Sequence, residues 1–225
     1  NHTAYYKNTN DINAVDLLLR EYDNIKIYSE TRSITLGDLS VLLVPWINQE
    51  NKDMTLAMIN KSKSPVCMGH LELQGFKVNE HVIMDHGFDI KPFEKFTKVF
   101  SGHFHTRSTQ DNISYLGNPY EIYWNDHEDT RGFHLFDTET LETLPVNNPY
   151  RLFYKLYYND NDYQLFNASE LENKIVKLIV RQKTDTKKFE KFIDKLYASG
   201  VHDLKIIENF EIQESEEFDI NEDEN

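Results

Sequence analysis

The sequence predicts an α/β protein in which a mixed sheet sandwich carries helices on its outside and a small α+β unit follows. Three observations predict it. Apolar runs of strand length recur at 41–46, 65–68, 98–101 and 175–180, and turn residues bound them. Helical periodicity alternates with these runs early in the chain, and strands dominate afterwards. With 225 residues, 39% hydrophobic and 13% aromatic, the chain can bury a core in one large domain or in a medium one plus a small one.

The elements follow in order. Residues 10–22 read as a helix capped by Asn10 or Asp11, with Ile12, Val15, Leu18 and Leu19 on one apolar face. Residues 25–28 read as a short strand. Residues 33–46 read as a hairpin that turns at Gly37-Asp38, with 39–44 buried. A second helix is expected over 51–61, with Met54, Ala57 and Met58 inward. The strand at 65–68 runs into Gly69-His70, and the strand at 98–101 ends at Gly102-His103-Phe104-His105. Strands at 113–116, 132–137 and 141–146 complete the first part. Asn147-Asn148-Pro149 is a hinge signal. Beyond it come a strand at 175–181, a helix at 185–199 closed by Gly200, and a strand at 204–207. The expected domains are 1–148, 149–210 and an acidic linker, 211–225.

Composition excludes several classes. No run of about 18 apolar residues occurs, so no segment reads as membrane-spanning. The single cysteine, Cys67, excludes a disulfide framework and a cysteine-based zinc site, and fits a reducing, cytoplasmic setting. The net charge is −14, and 211–225 holds eight Asp and Glu with no Lys or Arg. Such a chain is repelled by DNA at long range, so nucleic-acid binding requires a local basic patch or a cationic metal site. The first residue is Asn, and both ends read as cuts through a longer protein.

Chemistry concentrates in the histidines, of which there are nine. His103 and His105 are two apart just after a buried strand, so on extended backbone both imidazoles project to one side. His70 follows another buried strand, and Asn1-His2 heads the chain. Three separate segments thus end in Asn or His donors, the pattern of a metal site built from loops at strand ends. His81, His86, His127, His134 and His202 have no such context, and Trp46 and Trp124 read as packing residues.

Together these residues resemble the calcineurin-like metallophosphoesterases. Asn1-His2 is similar to the end of that family's Gly-Asn-His-Asp/Glu motif, His70 to its lone metal-binding histidine, and 102–105 to its Gly-His-x-His motif. Tyr115-Leu116-Gly117-Asn118-Pro119 and Arg131-Gly132-Phe133 resemble the DNA-repair branch, with the likeness closest to SbcD-like nuclease subunits of large tailed phages. Thr3 departs from the Asp/Glu of the first motif, and Asn118 from the usual Ser/Thr.

The resemblance implies that Asn1, His70 and His103 hold one metal, that His105 holds another, and that His2 is the catalytic histidine. It implies two divalent ions, manganese above all, and hydrolysis of DNA phosphodiesters. The implied partners are DNA, an SbcC-like ATPase and a second copy of the subunit, in the host cytoplasm. The family's Asp-x-His and Gly-Asp-x-x-Asp motifs have no counterpart here, so this chain by itself is expected to be an incomplete, inactive portion of the sandwich. Lys187, Lys191 and Lys195 recur at every fourth position of the last helix and offer a phosphate-tracking face, and Arg107 lies just past His105. Two other functions share these features: hydrolysis of small phosphoesters, and a non-catalytic scaffold of the same fold.

Overall fold

A run of β-branched and aliphatic residues buried on both sides sets the centre of the first unit. In the computed structural model the described residues are 2–78, 82–160 and 166–208. Asn1, His81 and the acidic segment 211–225 lie outside them. The chain divides into two compact units, Asn1–Pro149 and Tyr150–Asn225.

In the first unit, β1 (Arg32–Leu36) and β2 (Leu39–Val44) form an antiparallel hairpin. Gly37 makes the turn at φ +60°, a conformation that glycine adopts without steric cost. β3 (Val66–Gly69), β4 (Lys98–Ser101), β5 (Ser108–Gln110) and β6 (Ile113–Tyr115) extend this into a six-stranded sheet ordered β1-β2-β3-β4-β6-β5. β2, β3, β4 and β6 run parallel, so their carboxyl ends share one edge.

Both faces of the sheet are covered. On one face Leu42, Cys67, Val99 and Tyr115 pack with Ile59 of helix α2 (Lys52–Lys61) and with Leu73, Phe76 and Phe93 from loops. On the other, Val41, Val66 and Phe100 meet Phe136 and Leu141, which lie in or beside the antiparallel ribbon of β7 (Gly132–Phe136) and β8 (Thr143–Asn147). A fully buried side chain such as Leu42 or Ile59 contributes about 1.5–3 kcal/mol.

The second unit is a three-stranded parallel sheet ordered β11-β10-β9, from β9 (Phe153–Tyr158), β10 (Ile175–Val180) and β11 (Asp203–Glu208). Helix α3 (Thr186–Ala198) crosses between β10 and β11. Asp185 caps it by accepting from the Lys188 N–H at 3.1 Å, and Gly200 leaves it at φ +80°. Phe189, Phe192 and Leu196 of α3 are buried with Val176, Leu178, Val180 and Tyr158.

Four expectations need correction. The first helix, α1, covers only Ala14–Leu19 and is capped by Asn13, whose side chain accepts from Asp16 N–H at 2.8 Å. Its amphipathic pattern buries nothing: Leu18 is 69% exposed, and Ile12 and Val15 are exposed too. No strand forms at 25–28. Helix α2 buries Thr55 and Ile59, not Met54 and Ala57, because Thr55 meets the buried Thr31 hydroxyl at 3.0 Å. β5 and β9 were not expected; both take their strand character from long-range pairing rather than from local pattern.

Candidate functional site

The parallel strands fix the site. In an open α/β sheet, ligands bind beyond the carboxyl ends of the strands. At this edge β2 leads into Trp46, β3 into His70, β4 into His103 and His105, and β6 into Asn118. β3 and β2 approach so closely that a Cβ on Gly69 would lie 2.7 Å from the Val44 carbonyl oxygen. That contact seats His70 beside Trp46, at 5.9 Å between ring centroids.

Two buried polar groups tie down the segment after His70. The Leu71 N–H donates to Ser101 Oγ at 2.9 Å, and the Tyr115 hydroxyl donates to the Leu71 carbonyl at 2.7 Å. Leu71 and Leu73 are thereby locked in the core, and His70 and Glu72 between and beside them face outward. Across the site, Phe104 is buried against Tyr115 at 4.6 Å, so His103 and His105 flank an inward anchor. The backbone there is a series of bends rather than the extended strand expected, yet the two imidazoles still emerge on either side of Phe104.

His103 is the centre. Its Nδ1 lies 3.3 Å from His70 Nε2, and its Nε2 lies 3.4 Å from Glu72 Oε2. Its ring is 5.1 Å from Trp46. His2 reaches the group edge-on, 5.8 Å from His70. Burial, with repulsion from the neighbouring imidazoles, lowers the His70 pKa to about 4. Burial also lowers His103 and His105, against the opposing pull of Glu72 and Asp126. These rings are therefore neutral lone-pair donors at pH 7.

His105 is held by a second network. The Arg131 guanidinium donates to the His105 carbonyl, and the Asn118 N–H donates to the same oxygen at 3.1 Å. Arg131 also meets Asp126 Oδ1 at 2.7 Å, both side chains being 3% exposed. Asp126 Oδ2 accepts from the Ile122 and Tyr123 N–H groups at 2.7 and 3.1 Å. The His105 ring stacks on Tyr123 at 5.8 Å and sits 3.9 Å from Asp126 Oδ1.

The imidazole set fits a transition-metal cation in part. Two nitrogens that share one ion at about 2.0–2.1 Å lie roughly 3.0–3.4 Å apart, the separation between His70 and His103. Among the described residues, however, no group of three or more His, Cys, Asp or Glu is placed to hold a metal.

The remaining expected residues are dispersed. Asn1 lies outside the described residues. Arg107 turns inward: its Nη1 donates to Asn147 Oδ1 at 2.7 Å, and Gly117 and Gly132 make room for it. Lys187 and Lys191 are exposed on α3, whereas Lys195 donates to the Phe166 carbonyl. Sequence reasoning missed Glu72, Asp126 and Tyr123, and read Trp46 only as packing. The Leu-x-Leu alternation at 71–73 is a signal that could have found Glu72; nothing local marks Asp126.

No protein-family model matches the chain. It is 33% identical over 225 residues to exonuclease subunit 1 of Enterobacteria phage T4, and the alignment takes in 98% of this chain and 64% of that protein. The chain thus spans just under two thirds of the length of that relative.

Proposed function

From its homology to a phage exonuclease subunit, we propose that this protein is part of the DNA-hydrolysing subunit of a recombination and repair nuclease, built on a metallophosphoesterase site. The observation that carries the reading is the convergence of His70 and His103, from different strand ends, at 3.3 Å on the carboxyl edge of a parallel sheet.

In this reading His70 and His103 hold one divalent cation with the Asn1 amide, and His105 holds a second. The neutral imidazoles suit manganese or iron. When bound, the metal pair supplies an activated water and neutralises phosphate oxygens. The protein's own groups do the rest. His2, exposed beside His70, stands next to the scissile phosphate and delivers a proton to the leaving 3′ oxygen. Trp46 walls one side of the imidazole pair and excludes water from it. Arg131 and Asn118 hold the His105 carbonyl so that the ring keeps its orientation. The partners in this reading are DNA, an SbcC-like ATPase and a second copy of the subunit.

Among the described residues only the His70–His103 pair stands close enough to share a cation, and no group of three such donors is placed to hold one. This chain alone therefore binds manganese weakly and turns over no DNA. Titration calorimetry with manganese, combined with nuclease assays on linear duplex and single-stranded DNA, tests this. Tight binding of two ions with turnover by the 225-residue chain would refute the incomplete-site reading. Hydrolysis of small phosphodiesters without action on DNA, by this chain or a longer form, would refute the nuclease assignment.

A further inference from the structure

We propose that Glu72 is a positioning residue: its carboxylate holds the His103 proton on Nε2, so that Nδ1 keeps its lone pair turned toward His70. The arrangement of the two rings and the carboxylate carries this. His103 Nδ1 lies 3.3 Å from His70 Nε2, and His103 Nε2 lies 3.4 Å from Glu72 Oε2. The two nitrogens of an imidazole point to opposite sides of the ring, so Glu72 stands behind His103 and not among the donors in front of it. A neutral imidazole has one N–H and one lone pair, and the hydrogen bond made by one nitrogen decides what the other presents. A proton on Nδ1 would leave the Nε2 lone pair against a carboxylate oxygen. A proton on Nε2 gives that oxygen a partner of opposite sign. At 3.4 Å the contact is longer than an ordinary N–H···O bond. It strengthens when Nδ1 donates its lone pair, because the N–H then gains positive charge.

Glu72 is held in place by its backbone. Leu71 and Leu73 on either side of it are buried. The Leu73 N–H donates to the Tyr115 hydroxyl at 3.1 Å, and the Phe88 N–H donates to the Glu72 carbonyl at 2.8 Å. Gly87, at φ +107°, lets the chain pass so close that a Cβ there would lie 2.7 Å from that carbonyl and 3.4 Å from Glu72 Cγ.

The charges around Glu72 fit the same role. Its side chain is 24% exposed, and among the described residues its ion-pair contacts are to two histidines, His103 and, at 3.9 Å from Oε1, His86. His86 is exposed and turns its Nδ1 to Asp85 Oδ1 at 2.7 Å. A half-buried carboxylate that faces a neutral imidazole gains little for the fold, since no full positive charge offsets its desolvation. Behind a histidine whose other nitrogen faces a ligand position, the same carboxylate sets tautomer and ring orientation.

The use made of the Nδ1 lone pair rests on the cation-site reading, but the place of the proton does not, and it is measured without metal. Long-range proton–nitrogen correlation spectra of the nitrogen-15-labelled chain in EDTA identify the protonated nitrogen of each ring. In the parent, His103 should carry its proton on Nε2. In Glu72→Leu a larger share of His103 should carry it on Nδ1. Glu72→Gln, whose amide oxygen still accepts, should restore the Nε2–H form, and His86→Gln should leave His103 unchanged. After removal of EDTA, the spectra are followed with added zinc, a closed-shell ion that leaves the signals readable. Half-saturation of the His70 and His103 rings should need about 10- to 100-fold more zinc in Glu72→Leu than in the parent, with Glu72→Gln between the two. A proton on His103 Nδ1 in the parent, a tautomer unmoved by Glu72→Leu, or a Glu72→Gln variant that behaves like Glu72→Leu would each overturn the proposal. The first of these needs no variant, so the test stands even where Glu72→Leu fails to fold. The expected tautomers with no zinc at either ring would support the positioning role and count only against the cation-site reading.

Discussion

Arg131→Met is the sharpest test of how the site is held. Arg131 and Asp126 form a pair whose side chains are both 3% exposed, at 2.7 Å. Removing the cation leaves a buried carboxylate without its charge partner. The Ile122 and Tyr123 N–H groups still solvate that carboxylate, so the penalty falls near the lower end of the roughly 3–5 kcal/mol expected for breaking a buried pair. Asp126→Asn costs less, because Arg131 keeps Asp129 at 3.1 Å. The double variant, with neither charge, should be more stable than the sum of the two single losses by about 1–3 kcal/mol. Urea unfolding followed by tryptophan fluorescence is the assay. Both tryptophans, Trp46 and Trp124, lie in the first unit, so the signal reports that unit alone. If Arg131→Met lies within about 1 kcal/mol of the parent, or if the single effects simply add, the pair is not what holds the His105 loop.

Three further outcomes follow from the packing and the charges. Gly69→Ala places a Cβ 2.7 Å from the Val44 carbonyl oxygen and should destabilise the first unit by about 1–3 kcal/mol, measured by the same urea titration; a neutral result would mean that β2 and β3 can separate freely. Cys67 is fully buried, and burial raises its thiol pKa to about 12, so a disulfide reagent at pH 8 should label it only in urea. Labelling in native buffer at the rate of a free thiol would refute that burial. The Asp160 carboxyl is held below its usual pKa, first by the Thr184 hydroxyl and then by the Thr184 N–H. A folded-state pKa that is depressed gives stability that is present above the unfolded value of about 3.9 and is lost as pH falls through the folded value. Asp160→Asn should therefore melt below the parent at pH 7 and converge with it in strong acid; an equal gap at both pH values would exclude this hydrogen bonding as the cause.

Much of the first unit was legible because its signals are local. Val41, Val66 and Val99 sit in short, turn-bounded segments of strand length with β-branched and aromatic residues, and Gly37 marks its turn by a positive φ that glycine adopts without steric cost. The positions of His70, His103 and His105 after those strands were equally readable, since parallel strands bring their carboxyl ends to one edge whatever lies between them. The α1 face shows the limit: amphipathic spacing states what a helix could bury, not whether a partner surface exists.

By itself, then, the sequence determined where the buried central strands β2, β3, β4 and β10 fall, that Gly200 closes the last helix, and which segments end in imidazoles, because dihedral preference and side-chain period act over a few neighbouring residues. The tertiary structure alone decided that His103 stands between His70 and Glu72, and that Arg131 reaches across to the His105 carbonyl. Each of these depends on strand order and register, which arise from packing between residues about 20 to 50 positions apart and leave no periodic trace along the chain.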